Sequence, residues 1–221
     1  MVDIFDEVAD DLRAERAMRL ARRYGGLLIL GCLLVLLGVA AQQVYLWHEG
    51  KRNEAAAAAF LRITGPMDAQ GGTVPGNEVT KDATALTDFA ATAPEGYKTL
   101  ANLRAAALYA NGGQEMQAEA LWTNIADDAA AEPMLRDLAT LLWAQHALGT
   151  VPGADVLARL KPLTGPKNPY HGLAQETQAL VYLHEGKIDL AKALFSQIAA
   201  DPDAPDGARN RADGLLAKLN G

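Results

Sequence analysis

Few residues in this chain of 221 have the types and spacing that support chemistry. The histidines His48, His146, His171 and His184 form no metal-ligating spacing such as HExxH. Ser196 is the only serine and lies outside a Gly-x-Ser-x-Gly turn. Neither a GxGxxG loop nor a phosphate-binding loop occurs. The sequence therefore predicts a protein that is not an enzyme, with no catalytic residue, no cofactor site and no metal site.

Composition narrows the remaining classes of function. Cys32 is the only cysteine, so neither an intramolecular disulfide nor a cysteine-based metal cluster can form. The net charge of −7 disfavours nucleic acid as a partner, because an acidic surface repels phosphates. Nothing indicates a small-molecule substrate. Abundant alanine and an aromatic content of 6% favour helix over sheet.

The stretch from Gly25 to Trp47 is apolar on every side for most of its length. A core helix of a soluble domain would carry a polar face. A signal peptide has a shorter apolar region, although the small residues of GVAAQ keep cleavage open as an alternative. Tyr24, Tyr45 and Trp47 stand where interfacial aromatic residues belong. These features predict a single uncleaved transmembrane anchor over residues 25–47.

The basic residues that flank the anchor predict its orientation. Five arginines lie before it, whereas Lys51, Arg52 and the more distant Arg62 follow it. Because the more basic side stays in the cytoplasm, residues 1–24 form a charged cytoplasmic helical tail. Residues 48–221 form a periplasmic domain, which in a bacterium places the protein in the inner membrane. The tail is either an orientation signal with a solvated helix or a docking site for a cytoplasmic partner.

Beyond the anchor the chain reads as helices. Helix is predicted to continue to residue 63, followed by a Gly/Pro-rich loop over residues 65–77. From Val79 onward, helical patterns alternate with short breaks, and no strand is predicted. Residues 97–133 align with residues 170–206 at a constant shift, and a weaker copy lies between them at 134–169. An all-α array of helix pairs follows from this repeat.

The repeated positions have a mechanical meaning. Small residues on both helices of a pair allow close packing, and an aromatic residue on each helix fills the space beside the next pair. Gly113 and Gly186 are expected to end the first helix of their copies in a left-handed conformation. The small and aromatic positions are Ala106, Ala118, Tyr109 and Trp122 in the first copy and Ala179, Ala191, Tyr182 and Phe195 in the last.

This pattern resembles the tetratricopeptide repeat, although the middle copy has Gln145 where an aromatic residue is expected. The whole layout is similar to the ancillary subunit family of the bacterial Sec translocon, in segments such as EVADDLRAERAMRLARRYG and GYKTLANLRAAALYANG. The resemblance implies a non-catalytic scaffold that binds Sec translocon subunits, periplasmic chaperones and exported chains. A scaffold for envelope assembly or cell division with the same architecture is the alternative.

If the domain binds proteins, the first helices of the pairs should line the binding groove. A mixture of apolar and few charged groups there would suit a peptide. Trp143 and the leucines have an equal claim to be core residues, because flanking helices can close the groove. The candidate groove residues are Leu103, Ala107, Ala110, Arg136, Trp143, His146, Glu176, Leu180 and Leu183.

Overall fold

A computed structural model describes residues 4–69 and 76–221. These residues are mostly helical and contain no strand, so the predicted all-α fold is confirmed. They divide into two compact units, Met1–Glu54 and Ala55–Gly221. The helices are α1 Ile4–Ala69, α2 Gly76–Ala90, α3 Glu95–Asn111, α4 Glu115–Asp127, α5 Pro133–His146, α6 Gly153–Leu160, α7 His171–His184, α8 Ile188–Ala200 and α9 Asp206–Asn220.

Helix α1 contains the apolar stretch. Among the described residues, one helical segment, which begins at Ile29, is long and apolar enough to cross a membrane. Its apolar side chains, such as Leu33 and Leu37, are more than half exposed. This arrangement is compatible with a single-pass anchor and differs from a buried core helix. Residues 1–3 of the predicted helical tail lie outside the described residues.

The predicted loop over residues 65–77 is wrong in its extent. Helix α1 continues through Pro66 to Ala69, and α2 already begins at Gly76, while residues 70–75 lie outside the described residues. Met67 is only 4% exposed and packs with Val79 and Leu86 of α2. Burial of this side chain offsets the loss of the hydrogen bond that Pro66 removes from the last turn. The helix therefore continues past a proline, which usually ends a helix.

The predicted helix pairs are present in the second unit. Helices α3 and α4 form the first copy, α5 and α6 the middle copy, and α7 and α8 the last. Gly113 and Gly186 both have φ of +73°, which confirms the left-handed ends predicted for α3 and α7. The four repeated small residues and both aromatic residues of the second helices are buried: Ala106, Ala118, Trp122, Ala179, Ala191 and Phe195.

The middle pair is built differently. Its second helix, α6, has 8 residues, whereas α4 and α8 have 13 each. A 3-10 turn over Lys161–Leu163 follows it directly, and the proline within that turn prevents α6 from continuing as a regular helix. Leu160 and Leu163 are both buried and pin this shortened segment to the core. A loop that contains two prolines then leads to α7.

Three apolar clusters hold the second unit together. An N-terminal cluster joins the end of α1 to α2 and α3, and it includes Met67 and Leu86. A central cluster spans α3 to α7 around Trp122 and Trp143. A C-terminal cluster joins α7 and α8 to α9 around Phe195. Each helix therefore buries its apolar side against its neighbours along the array, as stacked helix pairs do.

Candidate protein-binding groove

The first helices of the pairs, together with α9, lie side by side. Helix α3 contacts α5, α5 contacts α7, and α7 contacts α9. We call α3, α5, α7 and α9 the row helices. The second helices, α4, α6 and α8, pack between them on the other side. The candidate groove residues all lie on the row helices, and their surroundings differ from one helix to the next.

On α3 the three candidates grade from half-buried to buried. Leu103 and Ala107 are half-buried, and Leu103 packs against the central cluster. Ala110 is buried within that cluster, at 9% exposure. Leu103 and Ala107 therefore keep some surface for a partner, whereas Ala110 mainly contributes to packing.

On α5 two of the three candidates face the second helices. Trp143 is buried, and the guanidinium carbon of Arg159 on α6 lies 4.6 Å from its ring centroid, a cation–π contact. The ring of His146 lies 4.7 Å from that of Trp122 on α4. His146 Nδ1 is also 3.3 Å from the carboxylate of Glu115 at the start of α4.

The third candidate on α5, Arg136, is half-buried near the beginning of the helix. Of the three, Trp143 is held inside its own helix pair, while Arg136 and His146 keep contact with solvent.

On α7 the charged candidate is an internal ion pair. Glu176 is 6% exposed and accepts hydrogen bonds of 2.6 Å from both Nε and Nη2 of Arg211 on α9. This pairing raises the pKa of Arg211, chiefly through its hydrogen bonds with the carboxylate. Leu180 and Leu183 are half-buried against the C-terminal cluster, to which α9 contributes. Helix α9 thus lies beside the last candidates and takes Glu176 as its own partner.

Sequence reasoning missed two exposed leucines, one on α3 and one near the end of α1. Leu100 on α3 is 41% exposed, and Leu61 near the end of α1 is 64% exposed. Tyr97, three residues before Leu100, has its ring 6.2 Å from that of Phe60, the residue before Leu61. Both leucines therefore lie close in sequence to a contact between α1 and α3. The signal available in the sequence was Leu100 itself, which recurs as Leu173 in the aligned last copy.

The described residues offer no group of three or more histidine, cysteine, aspartate or glutamate side chains that could hold a metal ion. His48 lies beside Trp47 on α1, and His171 is buried at the start of α7. His184 lies next to Gly149, in the loop that follows α5. Most of the candidate groove residues that keep exposed surface are aliphatic, and Arg136 is charged, a mixture that suits contact with a polypeptide.

Comparison with known proteins gives one match. A family model described as a tetratricopeptide repeat-like domain matches residues 21–219. The matched range includes the apolar stretch as well as the helix pairs. Neither a curated protein nor a solved structure matches the chain at a significant level.

Proposed function

The chain belongs to the tetratricopeptide repeat-like domain family, and from this we propose that it is a membrane-anchored scaffold that binds proteins at the Sec translocon and links the translocon to periplasmic chaperones. Domains of this family serve in protein–protein interaction and are typically non-catalytic. The observation that carries the proposal is the extent of the match, which runs through the apolar stretch and the helix pairs together. The similarity of this layout to the ancillary Sec subunits supplies the partner.

The proposed topology has three parts. Residues 1–24 are cytoplasmic, residues 25–47 span the inner membrane, and residues 48–221 lie in the periplasm. The excess of arginine before the span supports this orientation. Carbonate washing of membranes should leave the protein in the pellet, and protease added to spheroplasts should digest the helix pairs. Release by carbonate would contradict the anchor, and protection from protease would contradict the orientation.

A tether makes weak binding effective. Holding the helix pairs at the membrane raises their local concentration near the channel exit, so that individually weak contacts suffice. In-cell crosslinking followed by mass spectrometry tests the partner. Translocon subunits and periplasmic chaperones are the expected products. A partner set made up of envelope-assembly or division proteins would instead favour the alternative scaffold role and overturn the Sec proposal.

The candidate groove residues that keep exposed surface are proposed to contact these partners, together with Leu100, while Ala110, Trp143 and Glu176 support them from within the array. Leu100→Asp places a charge on an exposed apolar position of a row helix and should reduce crosslinking at least several-fold. Met116→Asp is the matched control, because Met116 is 81% exposed but lies on α4, outside the row helices. Equal losses in the two variants, or no loss with Leu100→Asp, would argue against the groove.

A further inference from the structure

The loop that follows each helix pair contains the same small turn. A side-chain oxygen accepts a hydrogen bond from the backbone N–H two residues further on, a common loop arrangement of aspartate and asparagine. The three turns are Asp128 with the N–H of Ala130 at 2.9 Å, Asn168 with that of Tyr170 at 2.8 Å, and Asp201 with that of Asp203 at 2.9 Å.

Each turn is also tied back to the first helix of its pair, and the chemistry of the tie differs. Lys98 Nζ lies 2.9 Å from Asp128 Oδ2 in the first copy. In the last copy, His171 Nε2 lies 3.1 Å from Asp201 Oδ2. His171 occupies the position of Lys98 in the repeat alignment, and Asp201 that of Asp128. The middle copy replaces the ion pair with a bond of 2.8 Å from Asn168 to Asp137. The last copy thus carries a titratable cation where the first carries a permanent one.

The surroundings of His171 favour a protonated ring. Its Nδ1 lies 3.0 Å from the backbone carbonyl oxygen of Asn168, and its Nε2 faces the carboxylate of Asp201. Both partners only accept hydrogen bonds, and an imidazole donates from both nitrogens only as the cation. The residue is 9% exposed, so water has little access to replace either partner.

The charges around the His171 ring also favour its protonated form. The carbonyl of Asn168 and the carboxylate of Asp201 raise the pKa of His171 above 6.5, and Asp203 adds to the effect against the desolvation that opposes it. The pKa of Asp201 is lowered from 3.8, first by the backbone N–H of Asp203 and then by His171. Arg209 of α9 donates to the backbone carbonyls of residues 201, 202 and 204 and pairs with Asp206.

The sign of the pH effect follows from these directions. A raised pKa in the folded state means that the contribution of His171 is complete below about pH 6.5 and is lost as pH rises through the folded value. The lowered pKa of Asp201 removes its contribution only below about pH 3.8. The tie is therefore strongest in mildly acidic solution and weakens toward alkaline pH.

The tie controls how the chain enters α9. Residues 201–205 connect α8 to α9, and a Cβ added to Gly172 would lie 3.2 Å from the Cβ of Ala204, so this connection touches the start of α7 closely. Helix α9 in turn covers the C-terminal cluster and pairs Arg211 with Glu176. Release of His171 from Asp201 removes a side-chain bond between this connection and α7, and leaves the packing of Ala204 against Gly172.

We propose that the ion pair of His171 and Asp201 is a proton-dependent fastener, meaning that it holds α9 on the C-terminal cluster while the imidazole is protonated. The ion pair of Lys98 and Asp128 holds the loop of the first copy independently of pH in the physiological range. As pH rises, α9 opens more often from the C-terminal cluster, while the pair of Lys98 and Asp128 in the first copy stays closed. The end of the array next to α9 is the pH-sensitive one.

Hydrogen exchange followed by mass spectrometry on the full chain in detergent micelles tests this. Protection factors, corrected for the intrinsic pH dependence of exchange, are compared at about pH 5.5 and about pH 8.5. Protection of the α9 amides should fall by about two- to fivefold at the higher pH, the scale of one partly exposed ion pair. Protection of the α3 amides, on the helix that carries Lys98, should stay constant. Protection of α9 that does not change with pH overturns the proposal.

Two substitutions exchange the lysine and the histidine of the two ion pairs. His171→Lys should make protection of α9 independent of pH, and Lys98→His should give the loop after α4 a pH dependence that it lacks. An unaltered pH dependence of α9 in His171→Lys overturns the proposal. If that variant fails to fold, Asp201→Asn decides, because asparagine keeps the turn but removes the charge. The pH dependence of α9 should then weaken, because the Asn168 carbonyl alone still favours the protonated ring, and an undiminished dependence counts against the proposal.

Discussion

The ion pair between Glu176 and Arg211 joins α7 to α9, and its removal has unequal consequences on its two sides. Glu176 has a side chain only 8% exposed and receives two short hydrogen bonds, whereas Arg211 is 56% exposed. Arg211→Met leaves a nearly buried carboxylate without donors. Breaking a fully buried pair costs about 3–5 kcal/mol and an exposed pair at most about 1 kcal/mol, so about 2 kcal/mol is expected here.

The opposite substitution should cost less. In Glu176→Met, Arg211 loses its partner but remains largely in solvent, so the loss should be about 0.5–1 kcal/mol. The double variant replaces both groups with apolar side chains and should lie close to Glu176→Met alone, because no unpaired buried charge remains. The coupling free energy between the two positions is then about 2 kcal/mol.

Hydrogen exchange of the α9 amides in the full chain measures these values as local opening. A cost of 2 kcal/mol corresponds to about thirtyfold faster exchange in Arg211→Met. Lys218→Met is the control, since Lys218 is exposed on the same helix and should change exchange less than about twofold. Additive effects of the two single substitutions, or equal costs for both, would refute the assignment of the penalty to the buried carboxylate.

Three further predictions concern the free energy of unfolding, measured by urea titration of the full chain with circular dichroism. Gly112→Ala places a Cβ 2.6 Å from Cγ1 of Val79 and should cost about 1–3 kcal/mol; a neutral result would mean that α2 shifts freely. Gly113→Ala, at φ of +73°, should cost about 1–2 kcal/mol, and Gly113→Asn should cost less, because asparagine tolerates that conformation better; the reverse order contradicts the argument. Phe195→Ala should cost about 3–5 kcal/mol, with the exposed Ser196→Ala near zero as control; similar values for both would refute close packing around Phe195.

The helix pairs could be predicted because their determinants are local and repeated. Gly113 and Gly186 end helices at equivalent places, and Ala106 and Ala179 are small where two helices meet, so one alignment reveals both constraints. The end of α1 could not be predicted in this way. Pro66 normally ends a helix, and only the burial of Met67 against α2, a tertiary contact, explains why the helix continues.

The groove depends on contacts that sequence spacing does not reveal. Trp143 packs within its own helix pair because Arg159 of α6 lies over its ring. Glu176 is enclosed because Arg211, 35 residues away in sequence, donates hydrogen bonds to it. The nine candidates therefore remain a prediction as binding residues, with their surroundings now described.

The ion pairs of the first and last copies, in contrast, can be found in the alignment. Lys98 and Asp128 are 30 residues apart, as are His171 and Asp201, within the aligned copies. Charged pairs at equal spacing in two copies are a signal that a search for apolar positions overlooks.

The short α6 has a mechanical consequence if the array is held at one end, as the proposed anchor implies. A helix of 8 residues, joined to its neighbours by a 3-10 turn and a proline-containing loop, has fewer backbone hydrogen bonds to lose than α4 or α8. Local unfolding under tension starts where the fewest interactions must break together. If a bound partner pulls on the array, α6 should yield first and lengthen the chain there. The helix pairs on either side would stay folded, because the array would lengthen at α6 before either of them unfolds.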